Sequence, residues 1–273
     1  MRDESFPMHV KRALHLGILL LPAHPLLVCA QEPRTLVRQI VQDELQADRN
    51  DHSRWIYYDV DRKPEGTVEQ WVAGTANGSL HRVLIQKGAH LSQAAQRDAM
   101  DKFIHDPSAQ ARQHKSGEHD DQQSEQLLRL LPDAFQWRIV SQDASTMVLH
   151  FRPDPGFSPP TWASRVFASM EGTLTVNKQQ HRIVRLEGRM VNPVRFCGGL
   201  CGNISAGGTF DVERRETAPT IWQIVETHVH MHGSILFFKS ISQNEDEVKS
   251  RFQQLPQNIT LAQAENRLLA QKD

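Results

Sequence analysis

The stretch Ile221-Trp-Gln-Ile-Val-Glu-Thr-His-Val-His-Met-His232 decides the fold class. Successive side chains on a strand point to opposite faces. One face of this segment then carries Trp222, Ile224, Glu226, His228, His230 and His232. The other carries Gln223, Val225, Thr227, Val229 and Met231. The second is the better core face towards its end, so the histidines are expected to point outwards beside Glu226. Two same-face histidines two residues apart can share a metal ion, because their Cα atoms lie about 6.6 Å apart. Three in a row span about 13 Å, too far for one ion. His228 and His230 are therefore the candidate metal ligands, for zinc or copper, with a further donor from His150, His181 or Glu187. The competing reading is a solvated polar face.

The same period of two extends in both directions. Arg54–Val60, Val68–Ala73 and Leu80–Gln86 read as a three-strand meander, with turns at Glu65-Gly66 and Asn77-Gly78. Further strands are expected at 136–141, 146–152, 172–176, 182–191, 208–215, 221–232 and 235–241, with Asn177–Gln180 as a hairpin turn. Helical spacing appears at Arg34–Ala47, where Leu36, Val37, Ile40, Val41 and Leu45 form one stripe. It returns at Leu91–His105, capped by Ser92 with Ala95, Ala99, Met100 and Phe103 as its buried side. Short helices are expected at Ser124–Leu131, ended by Pro132, at Trp162–Met170, and at the C-terminus over 260–270. The almost wholly polar run 106–123 reads as a solvated, flexible insertion. The expected class is α+β, mainly β: one curved antiparallel sheet, or incomplete barrel, with an N-terminal amphipathic helix and inserted helices.

The N-terminus reads as an export signal. Lys11 and Arg12 precede an apolar stretch, and Val28-Cys29-Ala30 ends it with small residues. Cleavage is expected after Ala30, leaving a single domain over 31–273 in the periplasm. The apolar run is short against the roughly 20 residues that span a bilayer. Retention as an anchor, or lipidation of Cys29, are the alternatives. The full chain of 273 residues has a net charge of −1. No basic patch dominates it, which argues against a nucleic-acid partner. Cys197 and Cys201, in Phe196-Cys-Gly-Gly-Leu-Cys-Gly202, can close a disulfide in an oxidising compartment. Such a ring contributes about 2 kcal/mol on the loop-entropy formula. Free thiols or a metal site are the other readings, and the spacing does not match a redox pair.

No nucleophile elbow, phosphate loop or helical zinc motif is present, so no catalytic residue and no cofactor are expected. Asp59 and Asp61 read either as an acid pair or as an exposed strand end. The glycine pairs 198–199 and 207–208 read as turns, because no helix follows either. The aromatic residues Trp55, Tyr57, Trp71, Trp137, Phe151, Trp162, Phe210, Trp222, Phe237 and Phe238 are spread over many strands, as core or as the lining of an apolar ligand site.

Several phrases carry a family resemblance: Phe151-Arg-Pro-Asp-Pro-Gly-Phe-Ser-Pro-Pro160, Val166-Phe-Ala-Ser-Met-Glu-Gly-Thr-Leu-Thr-Val176, Gly207-Gly-Thr-Phe-Asp-Val212 and Leu236-Phe-Phe-Lys-Ser-Ile241. With the layout over residues 34–255, the chain resembles the LolA/LolB-like periplasmic lipoprotein carriers, and in detail a group of exported proteins of acidobacterial type. The resemblance implies a half-barrel with an apolar groove, partly lidded by helices, that takes lipid or a lipid-modified protein without catalysis. Membrane contact would be transient. The Cys197–Cys201 turn, the 106–123 insertion and the histidine strand depart from that pattern, and no cargo-binding residue carries over. The alternatives are a metal-binding protein or metalloenzyme centred on His228, His230 and His232, and a structural envelope module that binds a protein partner.

Overall fold

The computed structural model describes residues 32–196, 202–235 and 244–272. The chain opens with α1 (Pro33–Asn50), then β1 (Arg54–Lys63), β2 (Gly66–Thr75), β3 (Gly78–Gln86) and the short β4 (Ala89–His90). Two helices follow, α2 (Gln93–Ile104) and α3 (Pro107–Ala134). After them come β5 (Phe135–Gln142), β6 (Thr146–Pro153), α4 (Trp162–Phe167), β7 (Met170–Asn177) and β8 (Arg182–Met190). The small strands β9 (Val194–Phe196) and β10 (Gly202–Ile204) precede β11 (Thr209–Ala218), β12 (Ile221–His230) and β13 (Gly233–Ile235). The described chain closes with β14 (Asn244–Leu255) and α5 (Leu261–Leu269).

Eleven strands form one curved, unclosed antiparallel sheet in the order β4-β3-β2-β1-β14-β12-β11-β8-β7-β6-β5. A separate three-stranded sheet has the order β13-β10-β9. The expected meander and both its turns are present. Gly78 has a φ of +113°, a region glycine enters without a Cβ penalty. Thr75 Oγ1 accepts from the Asn77 amide at 3.1 Å and holds the turn. The 177–180 hairpin is also formed, with Asn177 Oδ1 accepting from the amides of Gln179 and Gln180.

Two cores lie on opposite faces of the large sheet. Directly paired residues share a face. The row Leu186–Val212–Thr227–Glu247–Asp61 crosses β8, β11, β12, β14 and β1 on one face. Helix α1 buries Val37, Ile40, Val41 and Leu45 on that side, against Leu149, Leu174 and Ile183 of the sheet. Ile56, Ala73 and Leu80, alternate to Asp61 in the β1 register, lie on the other face. There they pack with Met100 of α2 and with Leu261, Ala264 and Leu268 of α5.

Three expectations need correction. The 106–123 run is not a flexible insertion but the first half of α3, which continues through Pro132 to Ala134. Asp106 caps it by accepting from Ala109 N, and Pro107 occupies the first turn, where a missing N–H costs nothing. Gln113 clamps both the amide and the carbonyl of Ser79, at 2.7 and 3.0 Å, so this polar helix is tied to the β2–β3 turn. The second correction is β14, a strand between β1 and β12 where none was expected. Its sequence, NEDEVKSRFQQL, has polar groups on both faces and gives no apolar alternation. The third concerns α2, whose buried residues are Gln96 and Met100, while Ala95 and Ala99 are exposed. Gln96 is buried because its Oε1 accepts from Arg82 Nε at 2.9 Å.

The C-terminal helix stands as expected, with Thr260 and Gln263 forming a capping box. The expected 235–241 strand falls largely, and Cys197 and Cys201 wholly, outside the described residues, as does the segment to Ala30. The first described element begins at Pro33. Among the described residues no helix is long and apolar enough to cross a membrane.

Candidate functional site: an apolar cavity with a charged mouth

Helices α1, α3 and α4 stand off the sheet and leave a cavity of about 840 Å³ against β8, β11 and β12. The sheet supplies Ile183, Leu186, Phe210, Val212 and Val229, and Met231 follows directly after β12. The helices supply Leu45 from α1, Leu127, Leu128 and Leu131 from α3, and Trp162, Val166 and Phe167 from α4. Helix α4 is fixed here by a reciprocal cap between Thr161 and Ser164 and by Phe167, whose ring packs edge-on to Phe135 at 5.0 Å.

The strands under the cavity pack closely where glycines meet. A Cβ on Gly188 would come within 2.8 Å of both the Glu171 carbonyl and the Phe210 ring. Gly172, paired with Gly188, leaves no more room. The missing side chains let Phe210 and Phe151 lie over the sheet, which sets the cavity floor.

Charge collects where α1 ends. Glu44 falls on the buried stripe of α1 and is fully buried. Arg182 Nε and Nη2 donate to its two carboxylate oxygens at 3.0 and 2.8 Å, and the Ile183 amide donates at 2.9 Å. Arg214 Nη1 makes a second ion pair with Glu44. Asp48, one turn later, bridges Arg214 at 3.2 Å and Arg182 at 3.4 Å. Arg49 reaches Glu125 of α3 at 3.9 Å. Burial pushes the Arg214 guanidinium down to about 10. Burial also raises the Asp48 carboxyl above its ordinary range; Arg182 opposes this, while Asp51 and Asp121 add to it. Glu44, Asp48, Arg49, Asp121, Glu125 and Arg214 all line the cavity.

The histidine strand is the other candidate. His228 and His230 lie on the face opposite the cavity, beside Glu226, as the alternation implied. Their partner is Asp246 of β14: its Oδ1 lies 2.6 Å from His228 Nδ1 and 3.0 Å from His230 Nε2. Hydrogen bonding to Asp246 raises the His228 pKa, and the Asp246 carboxyl is lowered in turn. His232 is exposed beyond the strand end. His181 instead contacts Asp43 of α1, at 2.9 Å. Glu187 and His150 lie two and four strands away along the pairing row. Among the described residues, no group of three or more His, Cys, Asp or Glu side chains is placed to hold a metal ion.

Asp59 and Asp61 are not an exposed strand end. Asp59 is 4% exposed, accepts from Gln70 at 2.8 Å, and burial pushes its carboxyl up to about 6. Asp61 is held by Lys63 at 2.7 Å. Of the aromatic residues singled out from the sequence, Trp162 and Phe210 are the two that line the cavity among the described residues. Phe151 and Trp137 pack in the core beneath it, Trp55 and Tyr57 pack against Phe252, and Trp71 belongs to the second core. Phe237 and Phe238 lie outside the described residues.

Sequence reasoning missed Glu44, Arg182, Arg214 and Asp246. Glu44 had a signal, since it completes the helical stripe at 37, 40, 41 and 45. The two arginines sit on ordinary strands and carry none. The chain matches no protein-family model and no curated protein.

Proposed function

We propose that the protein is a periplasmic carrier that holds the acyl chain of a lipid or lipid-modified protein in the cavity and catalyses no reaction. The observation that carries this reading is the cavity itself: about 840 Å³ left open between the sheet and three helices, walled mainly by aliphatic and aromatic side chains. That volume lies within the range of sites for small ligands. A dry apolar hollow gains little from water, whereas each buried methylene contributes about 0.8 kcal/mol. Affinity of this origin needs no catalytic group.

Three features accord with the reading. The sheet is curved and unclosed, as in a half-barrel of the carrier type. The helices over the cavity contribute leucines and aromatic side chains to it rather than filling it. The segment read as an export signal ends before α1 begins.

Native mass spectrometry of protein released gently from the producing cell tests the proposal. The expected spectrum carries a bound species of lipid mass that is lost on organic extraction. A spectrum of bare chain, unchanged when lipid extract is added back, overturns it.

A further inference from the structure

We propose that the cavity selects amphiphiles by the sign of the head group, taking a long-chain ammonium ahead of a long-chain carboxylate. This rests on the carrier reading and deepens it, since an apolar wall alone asks only for a tail.

Polarity is graded in one direction along the cavity. On α3 the lining runs from Leu131 through Leu128 to Ser124 and Asp121, about 15 Å of helix. On β11 it runs from Phe210 through Val212 to Arg214, about 13 Å of strand. The apolar ends coincide at Phe135, Phe151 and Phe167, which pack together beside Gly188 and Phe210. The polar ends coincide at Asp48, which bonds Arg214 at 3.2 Å, and at the adjacent Arg49, which reaches Glu125 of α3 at 3.9 Å. An amphiphile therefore lies with its tail towards α4 and its head where α1 ends.

The charge at that end is not neutral towards a head group. Its guanidiniums are engaged: Arg182 and Arg214 on Glu44 and Asp48, Arg49 on Glu125. Glu125 takes a second partner, Arg129. Asp51 accepts from two neutral donors, the Ser53 backbone amide at 2.8 Å and the Gln223 side-chain amide at 3.2 Å. Asp121 lines the mouth and has no ion-pair partner among the described residues. The C-terminal carbonyls of α1, which ends at Asn50, add the negative end of an 18-residue helix. An ammonium placed here pairs with Asp121 and relieves its repulsion of Asp48. A carboxylate adds to that repulsion.

The test is displacement of N-phenyl-1-naphthylamine, an uncharged apolar dye, from the purified protein at pH 7.5 and low salt. Dodecylamine, dodecanol and dodecanoate differ only in the head. Dodecylamine is expected to bind about tenfold more tightly than dodecanoate, with dodecanol between them and the gap closing in 1 M salt. Asp121→Asn is expected to bring dodecylamine towards dodecanol. Dodecanoate equal to or tighter than dodecylamine, with dodecanol still displacing the dye, overturns the head-group inference and leaves the carrier reading intact. Displacement by none of the three overturns the carrier reading, and this inference with it.

Discussion

Glu44 of α1 and Arg182 of β8 form a two-point ion pair, at 2.8 and 3.0 Å, in which the glutamate is fully buried and the arginine side chain is 7% exposed. The pair fastens the helix over the cavity to the sheet beneath it. Arg214 joins from β11, so one carboxylate offsets the desolvation of two guanidiniums.

Removing that carboxylate leaves two cations buried without their strongest partner. Glu44→Ala is expected to destabilise the fold by about 3–5 kcal/mol, and Glu44→Gln by less, because the amide oxygen still accepts. Urea denaturation of both variants measures this. A loss under about 1 kcal/mol for Glu44→Ala would mean that the network does not hold α1 in place.

Gly117 lies inside α3, exposed, with nothing within 4 Å of the place where a Cβ would stand. Gly117→Ala is therefore expected to stabilise the protein by about 0.5–1 kcal/mol. Gly117→Pro is expected to cost about 3 kcal/mol by breaking the helix. If both substitutions are silent in thermal denaturation, the polar run is not helical.

Asp59 sets a pH dependence. Its folded-state pKa, about 6, lies above the ordinary 3.8, so the native state holds this proton more tightly than the unfolded chain. The resulting stabilisation is present below about pH 4 and is lost as the pH rises through 6. Asp59→Asn does not titrate and escapes the loss. The variant should gain on the wild type between pH 4.5 and 7.5, by about 1–2 kcal/mol. A difference between the two that does not change with pH would show that burial does not perturb this carboxyl.

The sheet was legible because most of its strands show one apolar face, and turn residues such as Asn77-Gly78 mark their ends. β14 was hidden for the opposite reason. It lies between two strands, so its place is fixed by backbone pairing with β1 and β12 rather than by an apolar stripe. With β14 went Asp246, the residue that explains the histidine strand, because a cross-strand partner cannot be read from one strand alone. The first half of α3 was hidden by composition: its residues face solvent, and its order comes from the Asp106 cap and the Gln113 clamp. The cavity was legible only as a class of wall. Which aromatic side chains line it depends on which face of the sheet each strand turns towards α1 and α4, and bulges such as the one opposite Arg214 shift that phase.

The cavity can be filled on purpose. Val229 is half-buried on the sheet wall, and Val229→Trp introduces an indole where ligand would lie. Titration of N-phenyl-1-naphthylamine into wild type and variant, with the melting temperature of each recorded, is the most direct measurement. Wild type should show saturable binding at one site. The variant should fold with a similar melting temperature and lose at least about tenfold in affinity. Equal binding by both, or no saturable binding by the wild type, would contradict a ligand held in this hollow.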